Sequence, residues 1–231
     1  MVGMLAGCAL IAAASLVYFD AETVPPFVIE KLPVRFETLW LVSLRLHVAS
    51  ALASCPLCLL LATRTLQRRL TLHRWLGRTT GVLVLLALVP SGVVLSFDAK
   101  GGPAVTAGFL LSAAIVAGCM VLGILAARRR QLVAHRRAMR HVVAQMSVAV
   151  TSRAMLMALD ARGVDPDIAY VVALWLPVLG SAAVVEVLSL RAPWVWRSWS
   201  TIRERVRRVV ISPFASVRPR GVVSSVPRLG R

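Results

Sequence analysis

Lysine is nearly absent from this chain, which has it only at Lys31 and Lys100, so its 27 basic residues are almost all arginine. Acidic residues are also few, at 10, and the formal charge is +17. A charge that large could indicate nucleic-acid binding, but its placement argues against that. The arginines fall between long apolar blocks and in the C-terminal tail, the pattern of a membrane protein with a positive inner side. The four cysteines, Cys8, Cys55, Cys58 and Cys119, all lie within apolar blocks, so a secreted disulfide framework is not indicated. No nucleophile triad of the soluble kind, phosphate loop, zinc motif or nucleic-acid motif occurs. Residues 1–18 lack the basic start of a signal peptide. Leu5-Ala6-Gly7-Cys8 imitates a lipoprotein cleavage box with too little sequence ahead of it. The first block therefore reads as an uncleaved helix.

What the chain has in abundance is apolar sequence, 58% of its 231 residues. Six blocks, approximately 2–18, 39–62, 77–97, 103–126, 140–159 and 168–190, approach the roughly 20 residues that cross a hydrocarbon layer of about 30 Å. The expected fold is all-α, a polytopic membrane bundle of about six transmembrane helices. The fifth block carries Gln145, Ser147, Thr151, Ser152 and Arg153, so one of its sides should face protein.

Alternate connections differ in charge. Arg64, Arg68, Arg69 and Arg74 occupy 63–76, and Arg128, Arg129, Arg130, Arg136 and Arg137 occupy 127–139. The other connections carry Asp20, Glu22, Glu30 and Glu37, then Asp98, then Asp160, Asp165 and Asp167. This alternation predicts a multi-pass protein of the cell inner (plasma) membrane with both termini cytoplasmic. Three regions follow: a first helix and outer loop (1–38), a five-helix core (39–190) and a cytoplasmic tail (191–231). From Trp194 to Ile211, apolar residues recur at helical spacing among arginines, which predicts a basic amphipathic helix on anionic lipid headgroups. Residues 212–231, with Pro213, Pro219 and Pro227, read as disordered.

Depth along the helices sorts the polar residues into two levels, because each residue advances the axis by about 1.5 Å. His73, His135, His141, Arg78, Arg140 and Glu186 share the cytoplasmic level. His47 lies roughly 22 Å from the inner end of its helix, and Arg45 and Arg153 lie at similar depth. Ionisable groups at such depth usually face a bundle interior or a cavity. A basic outer pocket of His47, Arg45 and Arg153 could hold an anionic group, a quinone carbonyl or a haem propionate. The bland alternatives are a place among lipid headgroups for the inner histidines and a salt bridge from Glu186 to Arg78 or Arg140. Cys55-Pro56-Leu57-Cys58 has redox spacing but apolar surroundings, so it reads as core packing with Pro56 as a kink.

His73-Arg74-Trp75-Leu76-Gly77-Arg78 and His135-Arg136-Arg137-Ala138-Met139-Arg140 share the form H-R-x-x-x-R. With His47, the run "AHRRAMRHVVAQMSVAVTSRAML" and the later "LWLPVLGSAAVVE", these pieces resemble a bacterial predicted-membrane-protein family, domain-of-unknown-function family 2306, over roughly 40–190. The matching positions are His47, His73, Arg74, Gly77, Arg78, His135, Arg136, Met139, Arg140, Arg153, Trp175 and Glu186. That resemblance implies a membrane bundle and brings no established activity. A looser similarity is to b-type cytochromes of the cytochrome b561 and ferric-reductase kind. It implies one b haem, with His73 and His135 as the iron ligands and Arg78 or Arg140 at a propionate. His47 lies too far along the bilayer to share a haem with either histidine. The resulting expectation is a haem-linked electron carrier or oxidoreductase with a quinone or electron-transfer partner. The alternative is a non-catalytic bundle or small transporter holding a lipid, quinone or other anionic ligand.

Overall fold

The computed structural model describes residues 2–20 and 26–191. Its contacts divide the chain into a unit spanning Met1–Val187 and a second, Leu188–Arg231. Of the second unit only the helix end 188–191 is described, so the expected amphipathic helix and tail lie outside the described residues. Everything described is helix, turn or short connection, with no strand among the described residues. The all-α membrane bundle expected from the sequence is the fold observed.

The helices are α1 (Val2–Ser15), α2 (Pro26–Lys31), α3 (Glu37–Leu61), α4 (Arg64–Arg68), α5 (Leu70–Leu83), α6 (Val89–Ser96), α7 (Gly102–Arg128), α8 (Leu132–Asp160) and α9 (Pro166–Arg191). A 3-10 turn, Leu16–Phe19, follows α1, and a π turn, Val84–Leu88, joins α5 to α6. Five segments are long and apolar enough to cross a membrane: Glu37–Leu61, Leu70–Ser96, Gly102–Arg128, Leu132–Asp160 and Pro166–Leu190. The first block falls short of the expected spanning length. Its α-helix has 14 residues, about 21 Å of rise against a layer of about 30 Å.

Local chemistry fixes where these helices stop and start. At the end of α7 the Gln131 N–H bonds the Ala126 carbonyl (2.8 Å) and the Arg130 N–H bonds that of Ala127 (3.1 Å). This is a Schellman closure with Arg130 left-handed at φ 57°. The end of α8 closes in the same way, with Gly163 at φ 69° and Val164 N–H on the Leu159 carbonyl at 3.2 Å. Asp165 caps α9, its Oδ1 accepting from the N–H groups of Asp167 (3.0 Å) and Ile168 (3.2 Å), with Pro166 at the first helical position. At the π turn the Val89 N–H reaches back to the Val84 carbonyl. Pro90 follows, and its ring nitrogen has no proton for the carbonyl four residues earlier.

Only 17–33% of the most apolar window of each span is buried inside the molecule. Leu46, Leu86, Leu122 and Leu176 stand outward on four different spans. In water such surfaces would drive aggregation; in lipid tails they are the favourable surface. The interior is correspondingly small. Cys58, Val84, Leu88, Val116, Met120 and Val142 make one core where α3, the π turn, α7 and α8 meet. Val105, Val148, Leu174 and Val178 make a second between α7, α8 and α9. Small residues let the backbones approach: a Cβ on Gly108 would lie 2.7 Å from Leu174 Cδ2. Some buried hydroxyls bond within their own helices, Thr80 to the Leu76 carbonyl (2.8 Å) and Ser91 to that of Ala87 (2.6 Å), whereas the buried Ser54 hydroxyl has no hydrogen-bond partner.

Candidate functional site

On α8, Arg137, His141 and Gln145 follow one another at four-residue intervals and so share a face. That face meets α9. Glu186 accepts from His141 Nε2 at 2.7 Å, and its two oxygens take a forked pair of bonds from Arg137, Nε to Oε1 at 3.2 Å and Nη2 to Oε2. Arg137 is 55% exposed and Glu186 38%, whereas the His141 side chain is only 12% exposed. The carboxylate thus sits at the rim, with the imidazole enclosed behind it. One turn beyond His141, the buried Gln145 joins three helices. Its Oε1 accepts from Ser112 of α7 at 3.0 Å, and its Nε2 donates to the Val178 carbonyl (3.0 Å) and to Ser181 Oγ (3.1 Å) of α9.

This arrangement changes the expected pairing of Glu186. Its hydrogen-bond partners are Arg137 and His141, not Arg78 or Arg140. Depth along the helices places all these groups at one level but does not say which face each occupies. The four-residue spacing of Arg137, His141 and Gln145 was the available signal for the face.

His73 and His135, expected at one level on separate helices, do come within electrostatic range of each other. His135 Nδ1 lies 2.8 Å from the Gly123 carbonyl of α7. A carbonyl can only accept, so Nδ1 carries a proton, and in the neutral ring Nε2 is then the nitrogen with the lone pair. His73 Nδ1 is enclosed and has no hydrogen-bond partner. Both residues lie inside helices, each the fourth residue, of α5 and of α8. Arg78 and Arg140, which close the same six-residue motifs, are exposed.

In the outer group, His47 Nδ1 faces the Leu88 carbonyl at 3.1 Å and Ser91 Oγ at 3.2 Å. The Leu88 carbonyl fixes Nδ1 as the protonated nitrogen and leaves Nε2 open. The ring fits because residue 92 is glycine, where a Cβ would lie 2.9 Å from His47 Cε1. Arg153 is within electrostatic range of His47 and is exposed, with Nη1 donating to its own helix at the Ala149 carbonyl (3.0 Å). Arg45 is exposed on α3. The His47 anchor depends on the π turn, which hydropathy does not reveal.

The cysteines divide differently from expectation. Cys58 is buried in the first core as a packing residue. Cys55 instead meets Cys8 of α1.

A bundle of apolar helices, mostly uncovered on its outer faces and tied internally by buried polar groups, defines an integral membrane protein. Residues 44–189, well over half of the chain, match the DUF2306 model, described as a predicted membrane protein. The chain belongs to that family. No curated protein and no solved structure matches it, and nothing found extends the looser likeness to b-type cytochromes.

Proposed function

We propose that this membrane bundle is an electron carrier in which His73 and His135 would hold one b-type haem at its arginine-rich end. The observation that carries the reading is the anchored tautomer of His135. Its Nδ1 proton is held by the Gly123 carbonyl at 2.8 Å, leaving Nε2 as the free donor. Metal-bound imidazoles are commonly oriented by such a bond. His73, within electrostatic range, brings a second imidazole with an unpartnered enclosed nitrogen.

Among the described residues no three His, Cys, Asp or Glu side chains converge as a metal site. Two imidazoles alone would hold a bare ion poorly, but they suit an iron already held by a macrocycle. Bound there, the haem would supply one-electron iron chemistry. The protein's own part is to fix the two rings and to place Arg78 and Arg140 as cations for the propionates. Their cost is low because both arginines are exposed rather than buried.

The arginine-rich connections support placing this end in the cytoplasm, with the C-terminus on that side and the protein in the plasma membrane; a cytoplasmic N-terminus requires α1 to cross the layer as well. The arginines between Trp194 and Ile211 support contact with anionic lipid. The test is the absorption spectrum of the detergent-purified protein, expressed with ample haem, oxidised and after dithionite. The reading expects a Soret band that is lost in both His73→Ala and His135→Ala. A wild-type protein without that band would sink it.

A second reading rests on His47, whose open Nε2 and neighbouring Arg153 suit a quinone carbonyl or an anionic lipid group. Here the protein is a non-catalytic binding bundle or small transporter. Extraction and mass analysis should find a co-purifying lipid or quinone that is lost in Arg153→Ala. Unchanged ligand content and stability in both Arg153→Ala and His47→Ala would remove this reading.

A further inference from the structure

The sulfur atoms of Cys8 and Cys55 lie 3.0 Å apart, across α1 and α3 and 47 positions apart in sequence. Two unbonded sulfurs normally keep more distance than this, and a covalent S–S bond is only about 1 Å shorter. The contact is not accidental to a loose terminus. Adjacent to Cys8, Gly7 packs against α8 so closely that a Cβ there would lie 2.5 Å from Val150 Cγ1. With α1 resting on both α3 and α8, the depth and rotation of Cys8 are set by two independent neighbours. Both thiols are half-buried, and Cys58, one turn from Cys55, is turned into the first core.

We propose that Cys8 and Cys55 are a dithiol pair that a lipid-soluble quinone oxidises to a disulfide, stapling α1 to the family core. Two S–H bonds break and one S–S bond forms. The two electrons and two protons go to the quinone, which leaves as the quinol. The surroundings select the oxidant. Cys55 lies six residues from the end of α3 at Leu61, about 9 Å inside the helix. Charged glutathione, which keeps water-exposed thiols reduced, enters apolar surroundings poorly, whereas a quinone dissolves in them. The proposed chemistry uses neither His73 nor His135 and does not depend on haem.

The experiment uses the full chain in native membranes. These are treated with a fully substituted benzoquinone, which cannot add thiols, then acid-quenched and denatured. Thiols are counted by mass-tagged maleimide before and after reductant. The chain has four cysteines. The wild type should therefore take two tags before reduction and four after it. Cys8→Ser should take three in both conditions, and Cys58→Ser one and then three. Peptide mapping of the oxidised wild type should find the fragment of Cys8 joined to that of Cys55, which keeps the test independent of how the variants fold. Four tags before reduction overturn the proposal. So does a disulfide that survives in Cys8→Ser, which would join two of Cys55, Cys58 and Cys119, or one that joins two chains.

Discussion

Replacing Gln145 tests whether this bundle is held by its buried polar groups or only by packing. The amide makes three interhelical bonds, to Ser112, Ser181 and the Val178 carbonyl, at 3.0–3.1 Å. In a bilayer such bonds average about 0.6 kcal/mol each, so the three together contribute roughly 2 kcal/mol. Little further penalty comes from stranded partners. Ser181 already donates to the Val178 carbonyl at 3.1 Å, and Ser112 can turn to a carbonyl one turn back in its own helix. Gln145→Leu keeps the volume and should cost about 2 kcal/mol. Gln145→Ala adds a cavity at a site only 4% exposed and should cost about 1 kcal/mol more. The assay is equilibrium unfolding in mixed micelles, titrated with SDS and followed by helical circular dichroism. A Gln145→Leu midpoint equivalent to less than about 0.5 kcal/mol of change would refute the view that this amide holds α7, α8 and α9 together.

Glycine substitutions give a matched pair on α7. Gly108→Ala would push into Leu174 (Cγ 3.1 Å) and the Trp175 ring (Nε1 3.3 Å) and should cost about 1–3 kcal/mol. Gly118→Ala meets nothing within 4 Å and should be neutral or raise stability by up to about 1 kcal/mol in the same titration. Gly92→Ala should displace the His47 ring without touching any charged group. The outer-pocket reading then expects ligand loss matching that of His47→Ala, measured by extraction and mass analysis. Full ligand retention would count against that pocket.

Hydropathy located the five long helices because lipid selects for apolar side chains along the whole crossing length. It missed the arginine-rich ends of two of them. α5 and α8 begin at Leu70 and Leu132, well before the apolar blocks at 77 and 140, because arginine is a good helix former and hydropathy marks the water boundary instead. The first block is as apolar as the others but stops its α-helix at Ser15, which composition does not foretell. Among the site residues, the shared level of His73 and His135 followed from counting residues along each axis. The partners of Glu186 did not, since depth along an axis carries no information about rotation around it. The Cys8–Cys55 contact needs the position of α1 beside α3, which no local pattern encodes.

The π turn at Val84–Leu88 gives the second long span two phases. An extra residue in one turn advances everything beyond it by about 100° relative to a continuous α-helix. Thr80, Gly81 and Val84 face inward before the insertion, and Leu88 and Ser91 face inward after it. The two halves of this span are therefore indexed separately, the inner half on the level of His73 and the outer half on that of His47. Deleting one residue from the π turn would restore a regular helix but turn Ser91 and Gly92 away from the His47 ring, leaving the His73 half where it is. Two chemically distinct levels can thus change independently on one helix, with a single inserted residue as the joint between them.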